Sequence, residues 1–426
     1  MNAADVFTTL DLELKPDPAR TVIRPFGFRY PSAFAEGRPS RSEAVAARLM
    51  ALAPEMRQRM LELLHGAMQS RHRNVDGVFL RRFSEVRDEL GVAVEAERDQ
   101  LLIGAYFSQE YAFESAALFN PSIVTVPDQD RADDSIAFIL SLRGVGEGHI
   151  SSVTFRSGTW DGADGLVVNP PSAQGVPPRI EHDDAAGWVR LRSDDSKDIS
   201  ETVIFPTLPS QRQGVEDVRL VHFTDDDGTE SVIGTYTAFD GRDARAELLR
   251  GIDLRTYEMR PLTGRMAAYK GMALFPRRID GQFVMLGRQD NENIWLLRSD
   301  DLHHWDTGEI IMGPRYPWEF VQMGNCGSPI EIDEGWLVFT HGVGLVRGYC
   351  VGACLLDKAD PRKVLARTPS PLLFPSGEQR GGYVPNVTYS CGALLHKRRV
   401  LLPYAIADEY SAFAVGSVDD ILSVME

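Results

Sequence analysis

From Asn120 onward the chain is a succession of short apolar runs separated by polar turns, and this pattern restricts the fold more than any other feature. The runs "SIAFILSL", "SSVTFR", "GWVRL", "DVRLVHF", "ESVIGTYTAF", "QFVMLGR", "NIWLL", "GWLVFTHG" and "RVLLPYA" are rich in β-branched and aromatic residues. Between them lie turn signals such as "DDDG", "DGRD", "IDGQ" and "DEG". Many short strands with almost no helix between them imply a sandwich, a barrel or a propeller. The phrase "DGQFVMLGR…NIWLLRSDDLHHW" reads as two paired strands, a turn and a tryptophan. Weaker versions recur at "EDVRLVHFTDDDGTESVIGTYTAF" and "RRVLLPYAIADEYSAFAVGSVDDIL". Repetition of a multi-strand unit favours radial repetition, so an all-β propeller is the expected architecture.

The first part of the chain is different. Over Ser42 to Arg71, Ala46, Leu49, Met50, Leu52, Met60, Leu61, Leu63 and Leu64 recur at mixed three- and four-residue intervals, the mark of amphipathic helix, with a break or kink at Pro54. Two more helical patterns are predicted, around "RRFSEVRDEL" and over "VEAERDQLLIGAYFSQEYAFESAAL". The expected division is therefore an extended and helical segment, 1–110, serving as a cap or a dimerisation surface, and a β domain, 111–426.

Composition removes several classes of function. A net charge of -16 disfavours nucleic acid and anionic membrane surfaces as partners, since both need a basic face. No stretch approaches the roughly 18 apolar residues of a membrane span, and the N-terminus has no secretory pattern, so a cytoplasmic protein is expected. The four cysteines form no CxxC pair and no metal-ligand spacing with histidine. No metal or organic cofactor is implied.

Within this frame "RQGVEDVRL" stands out, because it sets Glu216, Asp217 and Arg219 in a run that should be building a core. Buried charge costs several kcal/mol unless it is paired or tuned for chemistry. Other polar positions that loops of a propeller would bring to one mouth are Asn120 and Ser122 in "NPS", Arg143 in "RGVGEGH", Lys270 in "YKGM", and Arg288 and Asp290 in "GRQDNEN". Glu319 in "WEF", His341 in "THG", Glu378 in "SGEQRGG" and Asp408 in "AIADEY" complete the set. Singly, each is more often a turn cap or a solvated group; Asp217, with no turn to explain it, is not.

In this order "FNPS", "GVEDVR", "GMALFPRRIDGQFVMLGR", "IWLLRSDDLHHW", "GSPIEIDEGWLVFTHGV" and "YVPNV…YAIAD" resemble the motifs of glycoside hydrolase family 130. The resemblance implies a five-bladed propeller that cleaves or phosphorolyses terminal β-mannosides, β-1,2-linked above all, with inversion. It puts the general acid on Asp217, with Val218 where the family's motif has proline. It gives sugar-contacting roles to Asn120, Ser122, Lys270 and Asp408, and oxyanion-site roles to Arg288 and His341. Glu216 and Asp290 are further candidates for the sugar site. A phosphorylase would bind inorganic phosphate, its co-substrate, at Arg143, Arg288 and His341. A hydrolase would need a base, for which Glu319 and Glu378 are the candidates. The family's phosphorylases tend to carry a tyrosine where this chain has Gly377, which tips the expectation slightly towards hydrolysis. Phosphorolysis to α-mannose 1-phosphate is the alternative, and a non-catalytic carbohydrate-binding propeller the second. The expected partner is a β-mannoside oligosaccharide, with a homo-oligomer through the N-terminal helices.

Overall fold

The computed structural model describes residues 2–127, 129, 134–183, 187–253, 255–375, 377 and 381–426. Strand is the predominant regular structure, arranged as five antiparallel meanders in chain order. The first pairs Ala117–Thr125, Ile136–Val145 and Ser151–Trp160; the second runs from Gly214–Thr224 through Glu230–Phe239 and Ala244–Asp253 to Thr256–Pro261. A single parallel pairing, Gly214 with Ser151, joins these two into one continuous sheet. The third holds Ala273–Leu274, Phe283–Gly287, Ile294–Ser299 and Thr307–Met312, and the fourth Gln322–Asn325, Gly335–Val343, Tyr349–Leu356 and Val364–Arg367. The fifth is formed by Thr388–Tyr389, Arg399–Ile406 and Tyr410–Ser417, and its outer strand is Phe7–Leu14 from the other end of the chain.

All five meanders meet around one cavity of about 360 Å³, to which Ile123, Leu220, Pro276, Ser328 and Gly392 contribute one from each. The first strand of every meander therefore lies innermost. Apolar layers fill the space between neighbouring sheets; Met285, Leu297 and Trp305 of the third, for example, pack on Val221, Ile233 and Leu248 of the second. The tryptophan that ends the recurring sequence unit is wholly buried there, its indole N–H donating to the Leu302 carbonyl at 2.8 Å.

Four helices occupy the N-terminal part: α1 (Arg41–Met50), α2 (Pro54–Met68), α3 (Val75–Val86) and α4 (Glu97–Tyr106). Ser40 caps α1 reciprocally with Glu43, and Pro54 opens α2 instead of kinking a single long helix, as suits a residue lacking an N–H. These helices enclose a small core around Leu49, Phe79, Phe83, Leu102 and Ile103. Gly104 lets α4 close onto α3: a Cβ there would stand 1.9 Å from the Phe79 carbonyl oxygen.

Two features differ from the sequence expectation. The last helical pattern stops at Tyr106; Ser108–Ala112 is a strand paired with Thr21–Pro25, and Ala117–Thr125 opens the first sheet. Backbone pairing across sheets overrides local helical periodicity there. In addition, Phe7–Leu14 belongs to the fifth sheet, so segment 1–110 does not stand apart from the β region. Buried ion pairs bind the two parts further, Arg73 to Glu201 and Arg20 to Glu114.

Among the described residues no helix is long and apolar enough to cross a membrane.

Candidate active site

Two of the innermost strands are broken in the same way. Gly214–Thr224 loses register with its neighbour between Glu216 and Arg219, and Ala117–Thr125 does so between Phe119 and Ser122. At each break one residue takes a left-handed conformation: Asp217 with φ of 52° and Asn120 with φ of 50°. Such bulges cost about 1–3 kcal/mol each and re-aim a side chain out of the pleat. Here they turn two polar side chains towards each other. Asn120 Nδ2 donates to Asp217 Oδ1 at 2.6 Å, and the Leu220 N–H donates to Ser122 Oγ at 2.9 Å, which locks the bulged strands side by side.

Arg143, from the second strand of the first sheet, completes this contact. It donates from Nη2 to Glu216 Oε1 at 2.7 Å and from Nη1 to Asp217 Oδ1 at 3.2 Å, while its Nε donates to Ser151 Oγ. Arg219 acts differently. Buried throughout, it donates to the Asp217 carbonyl oxygen, the Cys326 carbonyl oxygen and the Tyr389 hydroxyl, all within 3.0 Å. It thus ties the second and fourth meanders through their backbones and the fifth through the Tyr389 hydroxyl, and leaves the Asp217 carboxylate to Asn120 and Arg143.

Burial alone would raise the pKa of Asp217, but Arg143, Arg219, the Asn120 amide and Lys270 outweigh it and hold the carboxyl at about 2. Asp408, in a left-handed turn of the fifth sheet (φ 51°), moves the other way, to about 6. Burial is the main cause, and the negative charge of Asp217 adds to it against the pull of Arg143 and Arg347. Two neighbouring carboxyl groups are thereby driven apart, one ionised and one holding its proton to near neutrality.

Lys270 is half-buried and its pKa is lowered, first by burial and then by Arg288 and Arg143, although Asp217 and Glu216 oppose this. Beside it Gly271 (φ 94°) leaves room for Arg288, whose Cγ would lie 2.8 Å from any Cβ at that position. Arg288 is buried, and Nη1 donates to His341 Nε2 at 3.2 Å while its Nε meets no partner among the described residues. His341 is fully buried, and burial together with Arg288 and Arg219 keeps its imidazole neutral. Because arginine only donates, Nε2 must be the accepting nitrogen.

Asn120, Ser122, Arg143, Glu216, Asp217, Lys270, Arg288, His341 and Asp408 thus form one connected cluster of contacts and charge interactions. The other expected positions lie apart from it. Glu319 accepts from Arg367 at 2.9 and 2.8 Å and from the N–H groups of Arg315 and Tyr316, so both its oxygens are engaged in a buried structural pair. Asp290 caps its own turn, accepting from the N–H groups of Glu292 and Asn293 and from the Asn293 side chain. Glu378 lies outside the described residues. The sequence reading passed over two residues: Tyr389, which accepts from Arg219, and Asn325, a fully buried side chain whose amide oxygen and nitrogen both lack a partner among the described residues. The dipeptide "GN" beside Cys326 was the only trace of Asn325.

The cluster gathers cations, carboxyl groups and amide and hydroxyl groups at one place. The family described as β-1,4-mannooligosaccharide phosphorylase, glycoside hydrolase family 130, matches residues 192–426. The chain belongs to this family. Among family 130 relatives, the 1,2-β-oligomannan phosphorylase of Thermoanaerobacter sp. (strain X514) is 35% identical over 228 residues, covering 52% of this chain and 75% of that protein. The β-1,2-mannobiose phosphorylase of Listeria innocua is 29% identical over 235 residues, covering 52% and 63%. The solved structure of a β-1,2-mannobiose phosphorylase from Listeria innocua in complex with β-1,2-mannobiose has the same fold, with a TM-score of 0.54 at 18% identity, covering 74% of this chain and 92% of that one. Asn120, Ser122 and Arg143 precede the residues matched by the family model.

Proposed function

We propose that this protein is a five-bladed β-propeller that cleaves terminal β-mannosidic bonds of short β-mannosides by inverting phosphorolysis, releasing α-mannose 1-phosphate. The shared central cavity and the closure of the fifth sheet by Phe7–Leu14 support the propeller. The observation that carries phosphorolysis is Arg288, a buried guanidinium whose side-chain hydrogen bond goes to a neutral imidazole and not to a carboxylate. A buried cation without a counter-ion is costly, so such a site favours an anionic ligand. Arg143 and Lys270 lie within electrostatic reach of the same region. Phosphate brings its own nucleophilic oxygen and needs no base, which agrees with the commitment of Glu319 to Arg367. The names of the relatives point the same way, and together these observations reverse the slight preference for hydrolysis drawn from Gly377.

In this reaction a phosphate oxygen bonds to the anomeric carbon from the face opposite the leaving group. The bond from that carbon to the glycosidic oxygen breaks, and the leaving oxygen takes a proton from Asp217, directly or through a sugar hydroxyl. The low pKa of Asp217 belongs to the site without phosphate. A bound dianion would draw on the same cations and, with the sugar excluding water, raise the carboxyl towards a proton-holding state. Asn120 and Asp408 would hold the mannosyl hydroxyls. We place the reaction in the cytoplasm, where phosphate is in steady supply.

The test is product analysis with β-1,2-mannobiose, with and without inorganic phosphate, using Asp217→Asn as control. Mannose 1-phosphate formed only with phosphate supports phosphorolysis. Free mannose at a rate indifferent to phosphate replaces it with hydrolysis.

A further inference from the structure

An aromatic pair stands at the edge of the cluster, where neither the acid nor the anion site uses it. Tyr383 is 68% exposed, unusual for a tyrosine in a β protein, and its ring centroid lies 5.8 Å from that of His149, with the planes inclined at 31°. Each ring sits on a segment that also positions a member of the cluster. On the fifth-sheet side, the N–H of Val384 donates to the Ala407 carbonyl oxygen at 2.9 Å, directly before Asp408. Gly382 presses on the same turn, so closely that a Cβ would come within 2.5 Å of the Ala407 Cβ. On the first-sheet side, His149 has φ of 57° in the Gly146–Ile150 connection. The next residue, Ser151, accepts from Arg143, which holds Glu216 and Asp217.

The two rings therefore bridge the gap between the first and last sheets, one step outward from the two carboxyl groups. An exposed ring pair beside a polar cluster matches what a pyranose requires: a flat apolar face for its C–H groups beside donors and acceptors for its hydroxyls. Phosphate is bound deeper, at the cations, so the rim is left for the sugar on the leaving-group side.

We propose that Tyr383 and His149 form a stacking platform for the second sugar ring beyond the cleaved bond, making the protein selective for β-mannosides of three or more units over the disaccharide. This rests on the β-mannoside reading above. The test compares β-1,2-mannobiose and β-1,2-mannotriose as ligands of the full chain by calorimetry without phosphate, for wild type, Tyr383→Ala, Tyr383→Phe and His149→Ala. The expected result is about tenfold tighter binding of the trisaccharide by wild type, abolished by Tyr383→Ala, reduced by His149→Ala and retained by Tyr383→Phe, with disaccharide affinity changed less than about twofold. Equal affinity of wild type for the two sugars, or a preference that survives Tyr383→Ala, overturns the platform. Turnover of both sugars with phosphate, assayed on the same preparations, separates the two readings. Normal turnover with a flat affinity series removes the platform alone, whereas neither binding nor turnover of any β-mannoside removes both.

Discussion

Two clusters of buried charge in this molecule look alike in composition and differ in completeness. Around Glu114, Arg20 donates to one carboxylate oxygen and Arg156 to the other, each at 2.8 Å, and the remaining Arg20 donors reach the carbonyls of Ser172 and Ser200. Around Asp217, the Asn120 amide oxygen and the Arg288 Nε are left without partners among the described residues, and Asp408 is driven towards neutrality by burial and by the charge of Asp217. A closed network has nothing left to offer a ligand and serves as cement between the N-terminal strands and the first sheet. An open one retains unmet hydrogen bonds, and these are the capacity for recognition.

The contrast can be broken experimentally, beginning where the effect is largest. Asp217→Asn should lower kcat/KM for β-mannosides by about 10³-fold, as expected for loss of a general acid, while moving the urea midpoint far less than a change at Glu114 does. Glu114→Gln should do the reverse, costing about 3–5 kcal/mol in urea unfolding because it strands two buried guanidinium groups, with the specific activity of the folded fraction unchanged. If Glu114→Gln abolished activity without loss of stability, the distinction between cement and site would fail. Arg288→Gln should raise the KM for phosphate by about 10-fold or more, since one charge-assisted contact is lost, and leave the urea midpoint unchanged or slightly higher.

The smallest effect concerns pH. A carboxyl whose pKa is raised from the usual ~3.9 to about 6 takes up a proton on folding, so its penalty is absent below about pH 4, grows between pH 4 and 6, and stays constant above. Asp408→Asn should therefore show a gain in urea midpoint over wild type that appears across this window and is flat above it. Asp217, depressed to about 2, contributes stability above about pH 4 that is lost only as pH falls towards 2, outside that window.

What could be read from the sequence follows the same division. Short apolar runs bounded by turn signals are strands, as in Phe283–Gly287, buried along its whole length, and Ile294–Ser299, and this is visible residue by residue. "GVEDVR" was legible because charge in an apolar strand demands an explanation. Glu319 and Asp290 were misplaced because an acid beside a turn looks the same whether it binds a ligand, a distant arginine or its own backbone. Only the positions of Arg367 and of the Glu292 and Asn293 N–H groups decide between them. The bulges at Asn120 and Asp217 were hidden for a related reason, since register is a property of two strands and neither sequence states it alone. Arg219 drew notice as a charge but gave no hint that it would tie two backbone carbonyls and the Tyr389 hydroxyl together.

The pairing of Phe7–Leu14 with Tyr410–Ser417 has a consequence for biosynthesis. On the ribosome Phe7–Leu14 waits for Tyr410–Ser417, unpaired through translation of everything between them. Closing so long a loop is slow, which places this strand among the last to settle and among the first to be exposed when the protein is stressed. That strand therefore stays open to other partners until Tyr410–Ser417 has been made.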